Sequence, residues 1–193
     1  MHCPLPSVAR RLLPALLLVA VAARAGAQLV PLDDVWFKLS VKASGYVVDG
    51  ESSALKKAKL HTKAFLHLSL ASGVADGVAA GATYDYQVWT KQDGGTWALS
   101  DSGQHLFTGI ASGDQLAVDL PLSFTLDDGR FIAGRGVFLF DLKLNKQGQL
   151  KRAKLSTVSA EVIDGSTNGT NILAGELILK GRDVSANKLP FEP

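Results

Sequence analysis

Five lysines pose the first chemical question. From Val35 to Ala43 the odd positions are apolar (Val35, Phe37, Leu39, Val41, Ala43), and Trp36, Lys38, Ser40 and Lys42 stand between them. From Ala58 to Leu70 the even positions carry Leu60, Ala64, Leu66, Leu68 and Leu70, with Lys59, His61 and Lys63 among the odd ones. Period two means strands, and strands put alternate side chains on opposite faces. If these two strands pair, Lys38, Lys42, Lys57, Lys59 and Lys63 form one outward basic patch. Such a patch suits an anionic lipid, glycan or wall polymer in a cell envelope. A solvated sheet face whose lysines discourage edge pairing accounts for the same residues, and the near-zero net charge favours that plainer account.

Other chemistries are poorly provided for. His61 and His67 lie six residues apart on one strand, about 20 Å at ~3.3 Å per residue, too far to share a metal. Asp164, Ser166 and Asn168 place oxygen donors at the first, third and fifth positions of a calcium-type loop, with Gly169 at the sixth. The twelfth position should be a bidentate Glu but is Gly175, so this is a weak metal candidate, and a polar turn explains it better. No Gly-x-Ser-x-Gly elbow occurs, and no Ser/His/Asp set can be assembled. Asp33-Asp34 and Asp127-Asp128 are adjacent pairs, which face opposite ways on a strand. No glycine-rich phosphate loop links a strand to a helix. The expectation is no catalytic residue and no cofactor.

The N-terminus reads as an export signal. Arg10 and Arg11 precede an apolar run of 12 residues, Leu12 to Ala23, too short to span a bilayer of about 30 Å as a helix. Ala25-Gly26-Ala27 supplies the small residues of a cleavage site, giving residues 1–27 as a cleavable signal peptide and 28–193 as one domain. The expected product is exported, periplasmic or extracellular, with no transmembrane segment in the mature chain.

Cleavage removes Arg10, Arg11 and Arg24, so 20 basic residues become 17 against 18 acidic ones, a net charge of −1. That balance gives no reason to expect a nucleic acid partner. The single Cys is Cys3, so the mature chain has no thiol, no disulfide and no Cys-ligated metal.

The elements that would position any site are all strands. Further alternating segments run over Thr83–Trp89, Thr96–Leu99, His105–Ile110, Gln115–Leu120, Ser123–Leu126, Gly136–Leu144, Lys154–Ile163 and Asn171–Lys180. Asp49-Gly50, Gly94-Gly95, Ser102-Gly103, Asp128-Gly129 and Asp164-Gly165 read as turns between them. No helical stripe is sustained. Roughly nine to ten short strands at this spacing predict an all-β domain, an antiparallel β-sandwich or barrel. Pro31, Pro121, Pro190 and Pro193 should fall at strand ends or between strands. Leu55–Thr62 also echoes Leu150–Thr157, with six of eight residues identical at an offset of 95. A duplication predicts equivalent strands with Leu60 and Leu155 inward and Lys59 and Lys154 outward.

Trp36 and Arg182 resemble the pair that closes one end of the barrel in lipocalins. Asp34 stands where that pattern has Gly, and the likeness covers two residues, so the chain is assigned to no family. The expected role is a non-catalytic binding or structural module. The alternatives are a β-barrel carrier of a small apolar ligand, lipocalin-like, and last a secreted hydrolase.

Overall fold

A computed structural model describes residues 32–48, 54–72, 82–112, 114–125, 131–147, 149–167 and 170–193. The signal-peptide segment lies outside them. The period-two pattern becomes strands throughout: β1 (Val35–Val48), β2 (Leu55–Ser72), β3 (Thr83–Lys91), β4 (Trp97–Leu106), β5 (Thr108–Ser112), β6 (Gln115–Thr125), β7 (Phe131–Leu144), β8 (Leu150–Thr167) and β9 (Thr170–Val184). The helical turns among the described residues are the short 3-10 pieces Asp93–Gly95 and Ala186–Lys188. Gly94 and Gly95 have φ of 78° and 87°, so the first of these turns needs glycine.

The strands form one antiparallel sheet in the order β4-β3-β2-β1-β9-β8-β7-β6-β5. It curls into a half-barrel. The Thr90 hydroxyl of β3 donates to the Thr125 carbonyl at the end of β6, and Thr125 N–H donates to Ser100 Oγ of β4 at 2.5 Å. Farther along β4, His105 Nε2 lies 3.0 Å from the Asp119 carbonyl of β6. The two edge strands, β4 and β5, are separated in sequence by Phe107 alone. Phe107 is fully buried, and its N–H bonds the Ala82 carbonyl at 2.9 Å.

The concave face holds the core. Phe37, Leu39, Leu66, Leu68, Phe138, Phe140 and Leu142 are all buried, as their parity requires. Phe140 packs its ring edge-on to Phe37 at 5.6 Å and stacks against Phe107 at 6.0 Å. Tyr84 stacks on Phe107 at 4.2 Å, and its buried hydroxyl accepts the Leu32 N–H at 3.2 Å. Both octapeptides open a strand that pairs with the strand before it. Leu60 and Leu155 are buried while Lys59 and Lys154 are exposed, so the two copies share one parity.

Three local expectations are corrected. Ser102-Gly103 is inside β4, with Gly103 opposite Tyr86, where a Cβ would come within 3.3 Å of the tyrosine ring. Close packing by Tyr86, not a turn, explains that glycine. Gly165 lies in β8 opposite Ile132, so Asp164-Gly165 is not a turn either. Gln115–Leu120 and Ser123–Leu126 were expected as two strands; β6 runs unbroken from Gln115 to Thr125, so Pro121 sits inside it, opposite Arg135. The ladder with β5 ends at Asp119, so no strand pairing on that side calls for the N–H that Pro121 lacks, which is where proline is tolerated.

Candidate binding site

The convex face of β1 and β2 gathers the lysines that the sequence singles out. Directly opposed residues share a face of the sheet. The register sets Lys38 opposite Phe65, Ser40 opposite Lys63, Lys42 opposite His61, Ser44 opposite Lys59 and Tyr46 opposite Lys57. All five lysines are therefore on one face, and all are exposed. They separate along the strands, however. Lys38 and Lys63 stand at one end beside aromatic residues, and Lys57 and Lys59 run off toward the other.

The other neighbour of β1 adds cations that local sequence reasoning misses. In β9, Arg182 lies opposite Lys38 and Lys180 opposite Ser40. In β8, Lys154 lies opposite Arg182 and Ser156 opposite Lys180. The outward parity of Lys180 and Arg182 is legible, since they alternate with the buried Leu177 and Leu179. That β9 inserts beside β1 is not legible from spacing.

Beside the lysines the face is not solvated. Trp36 and Phe65 point outward yet are 4% and 2% exposed. The C-terminal segment after β9 covers them, with Phe191 at its centre. Phe191 stacks on Trp89 at 4.5 Å and meets Phe65, Trp97 and Trp36 at 5.5, 5.8 and 5.9 Å. Trp97 packs edge-on to Phe65 at 4.8 Å. Trp36 stacks on His67 at 4.3 Å, and His67 Nε2 lies 2.9 Å from Asp34 Oδ1. The three tryptophans of the chain, Trp36, Trp89 and Trp97, thus all stand on the convex face.

A β-bulge aims Trp97 there. Lys91 pairs with Trp97 and Trp89 with Leu99, but Val88 pairs with Asp101, skipping Ser100. The skipped residue reverses the parity of β4. Trp97 and Leu99 go to the convex face, while Asp101, Gly103 and His105 share the parity of Val88, Tyr86 and Tyr84.

Between the aromatic cluster and the lysines is an open pocket of about 520 Å³. It is lined by Lys38, His61, Thr62, Lys63, Phe65, Lys91, Trp97, Lys188 and Pro190. Four lysines and one half-buried indole converge there. His61 Nε2 is 3.1 Å from Ser40 Oγ, and the Thr62 hydroxyl donates to the Lys63 carbonyl at 3.3 Å. The arrangement offers ammonium donors to an oxyanion and an aromatic wall to an apolar or sugar face.

Elsewhere the chemistry is sparse. Asp164 and Ser166 belong to β8, and Asn168 lies outside the described residues. No group of three His, Cys, Asp or Glu among the described residues is disposed to hold a metal. Asp101 is held above its ordinary value chiefly by burial, partly offset by hydrogen bonds from the backbone at Ser102 and Ser123 and from the Tyr86 hydroxyl. Tyr86 is raised too, by burial and by the Asp101 charge. Arg135 forks onto Asp119 at 2.7 and 3.1 Å, an exposed pair joining β7 to β6. No helix among the described residues is long and apolar enough to cross a membrane. No known protein family, curated protein or solved structure matches this chain.

Proposed function

We propose that this chain is an exported, non-catalytic binding module whose convex face takes an acidic carbohydrate. In this reading the curled sheet is a closed barrel. The chain passes from one sheet edge to the other through Phe107, so β4 and β5 act as a single bent strand that serves both edges. The barrel is the support, and the pocket outside it is the site.

The pocket carries the proposal. Its volume of about 520 Å³ falls within the range of small-ligand sites, roughly 300–1,000 Å³. Lys38, Lys63, Lys91 and Lys188 supply point charges suited to carboxylate or sulfate, and Trp97 supplies a face for a sugar ring. The concave side favours this over an internal carrier, because Phe37, Phe107, Phe138 and Phe140 fill it with buried rings. Export, expected from Arg10 to Ala27, puts the site where acidic glycans occur.

Calorimetric titration with digalacturonate tests it, with neutral galactobiose as the control. Saturable binding of the acidic sugar, lost in a Lys63→Ser/Lys91→Ser variant, is expected. Equal binding of the neutral sugar, or no binding of either, overturns the reading.

A further inference from the structure

The pocket opens onto a line of cations that folding does not need. Across neighbouring strands the order is Phe65 in β2, Lys38 in β1, Arg182 in β9, Lys154 in β8 and Asp141 in β7. Three consecutive members are positive, directly opposed and exposed. Like charges directly opposite one another on a sheet are destabilising. Among the described residues no ion pair joins any of the three to a carboxylate. A second row, one step along the strands, adds Lys63 and Lys180, with Ser40 and Ser156 alternating. Strands lie about 4.8 Å apart, so the three-cation row spans about 10 Å, and with the pocket roughly 20 Å. The charge is local. Glu176, the acidic residue on the same face of β9, lies six residues from Arg182, about 20 Å away and well beyond the ~8 Å screening length at physiological salt, whereas Asp141 stands directly opposite Lys154 and bounds the row on the β7 side.

We propose that this row is a track for a linear polyanionic glycan, whose chain leaves the pocket at Lys38 and crosses β1, β9 and β8 over Arg182 and Lys154. The inference rests on the pocket being the binding site and extends it from a sugar unit to a polymer. The row runs around the curl, across the strands, where the surface is most convex. A flexible chain follows such a surface, whereas a flat bilayer touches it along a single line. The alternation of Lys with Ser in the second row places hydroxyl donors and acceptors between charges, as a hydroxylated polymer needs. Asp141 ends the row and sets the direction of exit.

The test compares polymer with disaccharide. The secreted full chain is titrated with alginate, dextran sulfate and neutral dextran at several salt concentrations, and with digalacturonate. The row variant Arg182→Gln/Lys154→Gln keeps side-chain bulk at two exposed sites; the pocket variant is Lys63→Ser/Lys91→Ser. The wild type should bind a charged polymer and ignore dextran. The row variant should bind that polymer about tenfold more weakly, with a shallower salt dependence, and bind digalacturonate unchanged. The pocket variant should lose both ligands. Preference for alginate or for dextran sulfate identifies carboxylate or sulfate as the charged group. Unchanged polymer binding by the row variant overturns the track and leaves the pocket standing. Failure of the wild type to bind digalacturonate removes the pocket reading instead. Row-dependent binding to phosphatidylglycerol vesicles without binding to either charged polymer assigns the row to a membrane surface and overturns the glycan proposal.

Discussion

The two faces of the curled sheet use the same strands for different ends. The concave face is mainly apolar. Phe37, Leu39, Leu66, Phe138, Phe140 and Leu155 belong to one apolar cluster, and every one is buried. The convex face is divided. One part is aromatic and sealed by the C-terminal segment through Phe191, and the adjoining part is a row of three directly opposed cations bounded by Asp141. Burial alone explains the first face. It does not explain the second, where directly opposed cations work against folding. The contrast separates residues that hold the fold from residues that the fold holds up.

Substitutions should reveal the difference in order of size. Phe140→Ala removes a ring packed against Phe37 and Phe107 and should cost about 3–5 kcal/mol in chemical denaturation. A loss under about 1 kcal/mol would mean that the concave face is loosely packed. Phe191→Ala, the same deletion on the convex face, should cost only about 1–2 kcal/mol while shifting tryptophan emission, because it uncovers Trp89 and Trp97. Equal losses at the two sites would make the C-terminal segment part of the folding core and erase the contrast.

Arg182→Glu sharpens the comparison, since it should raise stability. A glutamate between Lys38 and Lys154 turns two repulsive pairs into attractive ones, a gain of about 0.2–1 kcal/mol. The same variant should bind charged polymer least well. A destabilised Arg182→Glu protein would show that the guanidinium serves packing.

The smallest effect concerns Asp101, on the inward parity of β4. Its folded-state value is raised, mainly by burial. Its contribution to stability is therefore full below the unfolded value and is lost as pH rises through the folded one. The difference in melting temperature between Asp101→Asn and the wild type should grow in favour of the variant from about pH 3 to pH 6. A difference independent of pH would show that the hydrogen bonds from Ser102, Ser123 and Tyr86 offset burial fully.

How much of this was legible follows from how local each signal is. Strand parity is a local property, so the inward set and the outward positions of Lys38, Lys42, Lys59 and Lys63 could be read from alternation. The shared parity of the two octapeptides was legible for the same reason. Adjacency is not local. Nothing near Lys180, Arg182 or Lys154 shows that β9 lies between β1 and β8, so the three-cation row was invisible. The Ser100 bulge hides Trp97, because one skipped residue reverses parity without any mark in composition. The cover over Trp36 and Phe65 was not legible, because the segment that supplies it arrives from the far end of the chain. Gly103 reads as a turn residue because a glycine chosen for close packing looks the same in sequence as one chosen for a turn.

The central claim is that ligand meets the convex face and leaves the concave core untouched. The three tryptophans make this directly observable, since none of them belongs to the concave cluster. Titration of the 15N-labelled protein with digalacturonate, followed through its indole N–H resonances and backbone amides, reads both faces at once. The account predicts saturable shifts at the Trp97 indole and at the amides of Lys63 and Lys91, with Phe138, Phe140 and Leu155 unmoved. Shifts confined to Phe138, Phe140 and Leu155, or no shift at the Trp97 indole at saturation, would contradict it.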